Sequence, residues 1–266
     1  MQPRVDLYDS AYGHFSARVL ADVRARTYGI DIGQSGWVSV EEYATFIEWL
    51  GLSDEAHALD VGCGSGGPAL HLPRVTGCRV TGIDLNPHGI EAATAQAAAA
   101  GDTRAEFRVA DVDHPLPFDA ATFDAIVSMD AMCHMVQRAH VLAEWHRVLR
   151  PGGRALFTDP VVVTGPVTNE EVAVRASIGR FLFVPDGTNE RFIAEAGLRL
   201  LCREDLSEGG ARMAARWRDA REAYRDELEA VEGLERFEGL QRFLGVVARV
   251  MGERRLSRIA YLIERP

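Results

Sequence analysis

Lysine is absent from this sequence of 266 residues, so all 29 of its basic residues are arginines. That absence excludes a lysine nucleophile and a Schiff base. Positive charge is also in deficit, because 39 acidic residues leave a formal net charge of −10. Phosphate contacts require a basic face, and a chain this acidic is therefore not expected to bind nucleic acid.

Long apolar runs are absent as well. No stretch approaches the roughly 18 apolar residues that a membrane span requires, and the N-terminal segment has no apolar core of signal-peptide length. We therefore expect no membrane partner. The four cysteines, Cys63, Cys78, Cys133 and Cys202, are scattered without CxxC spacing. This usage is typical of reduced thiols in a cytoplasmic protein, and no metal site is predicted.

The rest of the composition suits a single folded unit. Hydrophobic residues make up 47% of the chain and charged residues 26%, which is typical of a globular domain. Short apolar runs alternate with helical segments, the pattern of a parallel sheet built from βαβ units. The sequence predicts one α/β domain over residues 1–266: a helical cap in 1–52, a core in 53–160, and cap helices with the last strands in 161–266.

The apolar pattern also predicts where the elements lie. Strands are predicted at Ala56–Val61, Arg79–Asp84, Ala105–Ala110, Phe123–Met129, Arg154–Asp159, Leu198–Leu206 and Ser257–Glu264. Helices are predicted at Asp6–Tyr28, Val38–Leu50, Gly67–Arg74, Gly89–Ala100, Ala139–Leu149, Thr168–Phe181, Thr188–Ala196, Gly210–Glu232 and Leu234–Arg255. The result is a doubly wound core with helices added at both ends.

A glycine-rich loop, Gly62-Cys63-Gly64-Ser65-Gly66-Gly67, follows the first strand. Glycines let the backbone turn sharply and approach a ligand where a Cβ would collide. Asp84 ends the second strand, 20 residues after Gly64, where a carboxylate suits ribose hydroxyls. Asp111 follows the third strand, where an acid suits an adenine amino group. Either acid alone is also compatible with a helix cap, but together with the loop they predict a nucleoside site.

Asp60, at the end of the first strand, separates two kinds of cofactor. A dinucleotide site places a pyrophosphate on the glycine loop and the helix that follows. A carboxylate at that point repels a pyrophosphate and favours a ligand with an ammonium or sulfonium group. The charge of Asp60 therefore favours S-adenosylmethionine over a nicotinamide dinucleotide.

The segments DVGCGSG, GIDLN, VADV, FDAIVSMDAMCHM and VLRPGG resemble, in order and spacing, the motifs of class I S-adenosylmethionine-dependent methyltransferases. The resemblance covers about residues 55–160. It implies a Rossmann-like, mostly parallel sheet of seven strands whose last strand, Ser257–Glu264, is antiparallel. It also implies S-adenosyl-L-methionine as cofactor and S-adenosyl-L-homocysteine as product. The implied cofactor contacts are Gly62 and Gly64 at the methionyl part, Asp84 at the ribose, Asp111 and Val112 at the adenine, and Met129 behind the sulfonium. Leu85, which follows Asp84, is a further candidate cofactor contact.

The DAMCHM stretch is most similar to the phosphoethanolamine and the glycine, sarcosine and dimethylglycine N-methyltransferases. In the phosphobase enzymes the matching histidine pairs with an N-terminal tyrosine over the acceptor amine. This implies catalytic roles for His134 and Tyr12, with Tyr8 as the next candidate. The segment from Gly33 to Trp37 resembles the turn that covers the methionyl end, which makes Gln34 a candidate cofactor contact.

The resemblance does not extend to the phosphobase substrate, because the residues that hold its phosphate have no counterpart beyond the fifth strand. Arg175 and Arg180 fall on a predicted helix, where arginines are more often solvated than bound to an anion. The function predicted is methyl transfer to a small-molecule acceptor, first an amine, in a pocket closed by helices Asp6–Tyr28 and Thr168–Phe181. Phe181, Phe183 and Trp37 are candidates for an apolar wall. The alternatives are an O- or C-methyltransferase of natural-product metabolism and a catalytically silent cofactor-binding protein.

Overall fold

The computed structural model describes residues 8–266. The strands are β1 (His57–Val61), β2 (Arg79–Asp84), β3 (Ala105–Val109), β4 (Phe123–Ser128), β5 (Leu149–Val163), β6 (Val184–Pro185), β7 (Arg199–Asp205) and β8 (Leu256–Glu264). The helices are α1 (Tyr8–Gly13), α2 (Arg18–Tyr28), α3 (Val40–Leu50), α4 (Gly67–Thr76), α5 (Pro87–Ala100), α6 (Arg138–Val148), α7 (Asn169–Arg175), α8 (Thr188–Glu195), α9 (Ser207–Ala223), α10 (Arg225–Glu232) and α11 (Leu234–Gly252). A single 3₁₀ turn, Met132–His134, follows β4.

The strands form one sheet in the order β3-β2-β1-β4-β5-β8-β7, and the short β6 pairs with β5. Neighbouring strands from β3 to β5 are parallel, whereas β8 runs antiparallel between β5 and β7. The predicted doubly wound, mostly parallel α/β sheet with an antiparallel last strand is therefore confirmed. The strand order reverses between β1 and β4, and a parallel sheet opens a crevice at the carboxyl ends of its strands at such a point.

Helices cover both faces of the sheet through large apolar side chains. On one face, the buried Trp145 of α6 contacts Phe157 of β5 edge to face, and Phe157 stacks on Tyr261 of β8. On the other face, Tyr43 and Phe46 of α3 are buried against the strands. These rings come from elements far apart in the chain, so the core joins helices α3 and α6 to the strands of the sheet.

A separate apolar cluster joins the cap to the crevice. Trp37 packs against Trp217 of α9 and stacks on Phe243 of α11. Ile178, which follows α7, is buried in the same cluster. The loop before α3 and the helices after residue 160 thus form one cover over the sheet edge. Within the described residues, none of the helices combines the length and the apolar character that crossing a bilayer requires.

Three helix predictions are wrong in their extent, and tertiary contacts explain the differences. The helix predicted over Gly210–Glu232 is two helices, α9 and α10, because Tyr224 leaves helical geometry with φ −119° and ψ 29°. The helix predicted over Thr168–Phe181 ends at Arg175, and the backbone N–H of Leu182 donates to the Cys133 carbonyl. The segment predicted as a helix over Asp6–Tyr28 is broken between α1 and α2, and Asp6 lies outside the described residues.

Candidate functional site

A cleft of about 940 Å³ lies at the carboxyl ends of β1, β2 and β4. This volume is near the upper end of the range for small-molecule sites, roughly 300–1,000 Å³. Of the residues that the sequence predicted for the site, eight line the cleft: Tyr12, Gly62, Asp84, Leu85, Asp111, Val112, Met129 and His134. Gln34, Asp60 and Gly64 are not among the lining residues.

The glycine loop takes a backbone path that requires glycine. Gly62, Gly64 and Gly66 all have positive φ, between +53° and +83°, a region that side chains with a Cβ rarely adopt. A Cβ on Gly64 would lie 2.5 Å from the hydroxyl of Tyr12, and one on Gly66 would lie 2.7 Å from the Cβ of Ala93. The ring of Tyr12 therefore covers the loop at Gly64, and Gly62 is the loop glycine that faces the cleft.

Asp84 shapes the loop and faces the cleft at the same time. Its carboxylate accepts the backbone N–H of Gly64 and that of Asn86, both at 2.8 Å. Burial raises the pKa of Asp84, although these backbone hydrogen bonds oppose the shift. A carboxylate has about four acceptor positions, so Asp84 retains lone pairs for a ribose. Asp111 lies at the next strand end and is partly exposed.

Asp60 is buried at the end of β1 and does not reach the cleft surface. Burial, together with the nearby carboxylate of Asp84, raises its pKa to about 8. An acid with this pKa is stabilised in its charged form by a cation placed nearby. Asp60 is thus not placed for a direct contact on the cleft wall, and its preference for a positively charged ligand stays a prediction.

His134 pairs with a tyrosine, but with a different one from the tyrosine predicted. The hydroxyl of Tyr8 lies 2.8 Å from His134 Nε2, whereas the ring of Tyr12 covers Gly64. The choice of Tyr12 as the partner of His134 was therefore wrong. Spacing in the N-terminal segment does not distinguish the two rings, because one turn of α1 brings both to the same side. The other imidazole nitrogen of His134, Nδ1, lies 2.7 Å from the carbonyl oxygen of Arg180.

The loop before α3 contributes to the cleft through residues other than the one predicted. The carboxamide of Gln34 is buried, where it accepts from the N–H of Ile32 and donates to the carbonyl of Ile30. A direct cofactor contact by Gln34 does not fit this placement. Its neighbours Ser35, Gly36 and Trp37 line the cleft instead.

A buried ionic cluster that the sequence analysis missed holds this loop in place. Asp130, just after β4, accepts the N–H of Trp37 at 2.7 Å and the hydroxyl of Thr158 at 2.9 Å. Arg258 of β8 donates to Asp130 at 2.7 Å and to Glu42 of α3 at 2.6 Å. Asp130 has φ +56°, a strained conformation for a residue with a side chain. The sequence signal for this cluster is the glycine at position 36, because a Cβ there would lie 2.7 Å from the Asp130 carboxylate.

The expectation that Arg175 is solvated was also wrong, because its side chain is buried and lines the cleft. Arg180, by contrast, is exposed. Helical periodicity did not reveal the difference, since α7 lies under α11 and the segment after it folds back over the cleft. Phe181 and Trp37 line the cleft as predicted for an apolar wall, and Phe183 is not among the lining residues.

Comparison with known proteins places this geometry in a family. Residues 59–157 match the family model described as a methyltransferase domain. Over 182 residues the chain is 33% identical to 27-O-demethylrifamycin SV methyltransferase of Amycolatopsis mediterranei, covering 65% of this chain and 66% of that protein. It is 38% identical over 167 residues to methyltransferase GfsG of Streptomyces halstedii, covering 60% of this chain and 59% of that one. The chain thus spans about two thirds or less of the length of these relatives.

The fold comparison reaches further along the chain. A Haemonchus contortus phosphoethanolamine N-methyltransferase 2, solved with S-adenosyl-L-methionine, superposes on 96% of this chain and on 60% of its own with a TM-score of 0.81 and 17% identity. The chain belongs to the class I S-adenosylmethionine-dependent methyltransferases. The resemblance seen in the sequence motifs is confirmed.

The cleft residues fit this cofactor in their chemistry. A loop without side-chain bulk at Gly62, an acid at the end of β2 and a second acid after β3 lie in the order that a methionyl group, a ribose and an adenine require. The exposed Leu85 and the half-buried Val112 add apolar surface beside these two acids. These side chains would hold the nucleoside, while Met129 lies at the end of β4 where the sulfonium would be.

Proposed function

We propose that this protein transfers the methyl group of S-adenosylmethionine to a small-molecule acceptor, with an amine nitrogen as the methylated atom. The observation that carries the proposal is the Tyr8–His134 pair on the wall of the cleft. When bound, the cofactor supplies an electrophilic methyl group whose bonding electrons return to sulfur as the acceptor's lone pair forms the new bond. The chain's part is to hold the acceptor in line and to keep water out.

The hydrogen bonds of His134 define its tautomer. A carbonyl oxygen only accepts, so the contact with the Arg180 carbonyl requires a proton on Nδ1. Burial lowers the pKa of His134 to about 4, and the charge of Arg175 adds to this effect. The imidazole is therefore neutral near pH 7, and its bare Nε2 accepts the hydroxyl proton of Tyr8. The oxygen of Tyr8 is left with lone pairs for a donor in the cleft.

This arrangement suits an amine that arrives neutral. An N–H of such an amine donates to the oxygen of Tyr8, which directs the nitrogen lone pair away from that contact and toward the methyl group. A histidine with a pKa near 4 is a weak base at neutral pH. His134 thus serves mainly to orient Tyr8, and the new ammonium gives its proton to solvent after the transfer, when the product has left the cleft.

A second candidate is O-methylation of a natural product. It is favoured by the printed name of the first relative, an O-demethylrifamycin methyltransferase that is 33% identical over the aligned region. A hydroxyl acceptor can also donate to Tyr8, but it must lose its proton during the transfer. The low pKa of His134 favours the amine over the hydroxyl.

The acceptor is proposed to be a small molecule held inside the cleft. Four acidic residues line the cleft, Asp84, Asp111, Asp113 and Asp130, and they oppose the approach of a polyanion. The four cysteines are all free, which supports a cytoplasmic location as part of the same proposal.

The experiment is incubation with methyl-labelled cofactor and pooled cell metabolites, followed by mass spectrometry of the labelled product. We expect label on nitrogen, and a turnover reduced roughly 10- to 100-fold in Tyr8→Phe, because mispositioning of the acceptor costs on this scale. Tyr224→Phe, remote from the cleft, is the matched control and retains full turnover. Label on oxygen selects the second candidate. If the protein binds the cofactor but transfers no methyl group to any acceptor, the result supports the catalytically silent cofactor-binding protein. A larger loss of turnover in Tyr12→Phe than in Tyr8→Phe contradicts the pairing of Tyr8 with His134.

A further inference from the structure

Four arginines in residues 8–266 are almost completely buried, and one of them has no counter-charge there. Their partners are Asp159 for Arg138, Glu232 for Arg221, and Asp130 with Glu42 for Arg258. Arg175, only 2% exposed, forms no ion pair with the described part of the chain, and its Nη1 is buried without a hydrogen-bond partner. A buried guanidinium without a counter-charge is costly, so the described part of the chain leaves Arg175 in need of a partner.

Aromatic rings cover the faces of the Arg175 guanidinium, but the N–H groups at its edge are not all hydrogen-bonded. Its guanidinium carbon lies 4.4 Å from the ring centre of Phe181 and 5.0 Å from that of Phe243. Aromatic faces stabilise a cation stacked on them, but the N–H groups of a guanidinium lie in its own plane. Stacking supplies no acceptor in that plane, where Nη1 is buried without a partner, and this unsatisfied donor matches an oxygen of a planar anion.

The chain holds Arg175 in place through the helix that carries it. Glu171, in the first turn of α7, forms a capping box with Thr168. Both carboxylate oxygens of Glu171 also accept hydrogen bonds from Arg255 at 2.7 Å. Arg175 is the last residue of this anchored helix. Its position is thus built by the fold, with an unsatisfied charge at the cleft.

The acids nearest to Arg175 are already committed elsewhere. Asp130 is held by Arg258 and Thr158, and Asp159 is held by Arg138. Neither is free to turn toward Arg175. The rest of the neighbouring wall is apolar, formed by Trp37, Ile178, Phe181, Trp217 and Phe243. A ligand that satisfies this region needs one anionic group and an apolar body.

We propose that Arg175 determines acceptor specificity by binding a carboxylate, so that the acceptor is an amphipathic acid whose apolar body lies against the aromatic wall. This inference rests on the proposed function and names the substrate class of the same site. A planar carboxylate matches the two-donor edge of a single guanidinium. A phosphate dianion carries a second negative charge, and among the described residues on this wall the other arginine, Arg180, is exposed, so no second buried cation matches that charge.

The experiment uses the full chain saturated with S-adenosylhomocysteine and follows ligand binding by ligand-observed NMR titration. The probes are phenylacetate, 3-phenylpropionate and 4-phenylbutyrate, each compared with its neutral amide, together with acetate and phenyl phosphate. We expect at least one acid to bind about 10- to 100-fold more tightly than its amide, the range for hydrogen bonds to a charged group. Acetate, which lacks the apolar body, is expected to bind more weakly than that acid.

Variants assign the preference to a residue. In Arg175→Met the acid and the amide are expected to bind equally. The affinity for S-adenosylhomocysteine is expected to stay within about twofold of wild type, a change well below the tenfold preference for the acid. The control Arg242→Met removes an exposed arginine that pairs with Glu170 of the same helix α7, and it is expected to keep the preference. If Arg175→Met fails to fold, Arg175→Lys, which keeps the charge and loses the two-donor edge, is expected to reduce the preference.

Several results would overturn the inference. These are equal binding of acid and amide in every pair, tighter binding of phenyl phosphate than of the acids, and acetate binding as tightly as the larger acids. A preference that persists in Arg175→Met but is lost in Arg180→Met would assign the anion to the exposed arginine and equally refute the inference. Each of these results is obtained with S-adenosylhomocysteine bound, whereas failure of the proposed function appears as absence of methyl transfer to any acceptor.

Discussion

Loss of Arg258 is predicted to be among the most destabilising single changes in the cap. The side chain of Arg258 is completely buried, and it donates to Asp130 at 2.7 Å and to Glu42 at 2.6 Å. The change Arg258→Met keeps most of the side-chain volume and leaves the buried carboxylate of Asp130 and the partly buried one of Glu42 without their cation. Breaking a buried pair in this way costs about 3–5 kcal/mol, which is about 6–10 °C in Tm for a domain of this size.

The pH dependence of this loss separates electrostatics from packing. Burial raises the pKa of Glu42 even beside Arg258, whose charge opposes the shift. Without Arg258 the pKa of Glu42 rises further above its unfolded value, so the folded variant binds more protons than its unfolded state. The stability of the variant then falls as the pH rises. We expect the Tm deficit relative to wild type to be largest near pH 7 and to shrink as the pH is lowered toward 4. A loss of packing alone would give the same deficit at every pH.

Scanning calorimetry or dye-monitored melting across this pH range measures the effect. The control is Arg212→Met, which removes an exposed arginine paired with Glu208 on helix α9 and is expected to cost less than about 1 kcal/mol. Glu42→Met in the Arg258→Met background removes one orphaned carboxylate and is expected to recover part of the loss. A Tm for Arg258→Met as close to wild type as that of Arg212→Met would refute the reasoning.

Three further predictions concern the cofactor region. Asp84→Ala is expected to weaken cofactor binding by about 1.5–3 kcal/mol, and unchanged affinity by calorimetry in a folded variant would exclude a ribose contact. With a pKa of about 8 in the fold, Asp60 lowers the stability of the ligand-free protein as the pH rises from about 4 to 8. Asp60→Asn is therefore expected to flatten that part of the Tm–pH curve and to weaken cofactor binding, and a parallel curve would contradict the shift. Gly66→Ala, which meets Ala93, is expected to destabilise more than Gly101→Ala, which has similar positive φ but open space around it; equal losses by chemical denaturation would rule out the clash.

The part of the cleft at the ends of β2 and β3 was predictable from the sequence because its residues are local to strand ends. Asp84 closes β2 and Asp111 follows β3, and parallel strands bring their carboxyl ends to one edge of the sheet whatever the rest of the chain does. The glycines of the loop have the same property, since positive φ at Gly62 and Gly64 is a demand of the turn itself. The antiparallel last strand followed from the resemblance to the family.

The acceptor half was not predictable in the same way, because its contacts join residues far apart in the chain. Tyr8 meets His134 across 126 positions, and the choice between Tyr8 and Tyr12 depends on how α1 rests on the glycine loop. Helical periodicity likewise does not show that α7 stops at Arg175 and that the segment after it folds over the cleft.

The sequence by itself determined the α/β fold, the cofactor family and the acids at the strand ends, because period-2 and period-3.6 patterns and turn chemistry act over short distances. Only the tertiary structure decided which tyrosine holds His134, how Asp130 and Arg258 fasten the loop at Trp37, and that Arg175 is buried without a counter-charge. The physical reason is that burial and pairing of charges depend on the packing of several elements together. No local pattern specifies which of the 29 arginines becomes buried and dehydrated in the fold.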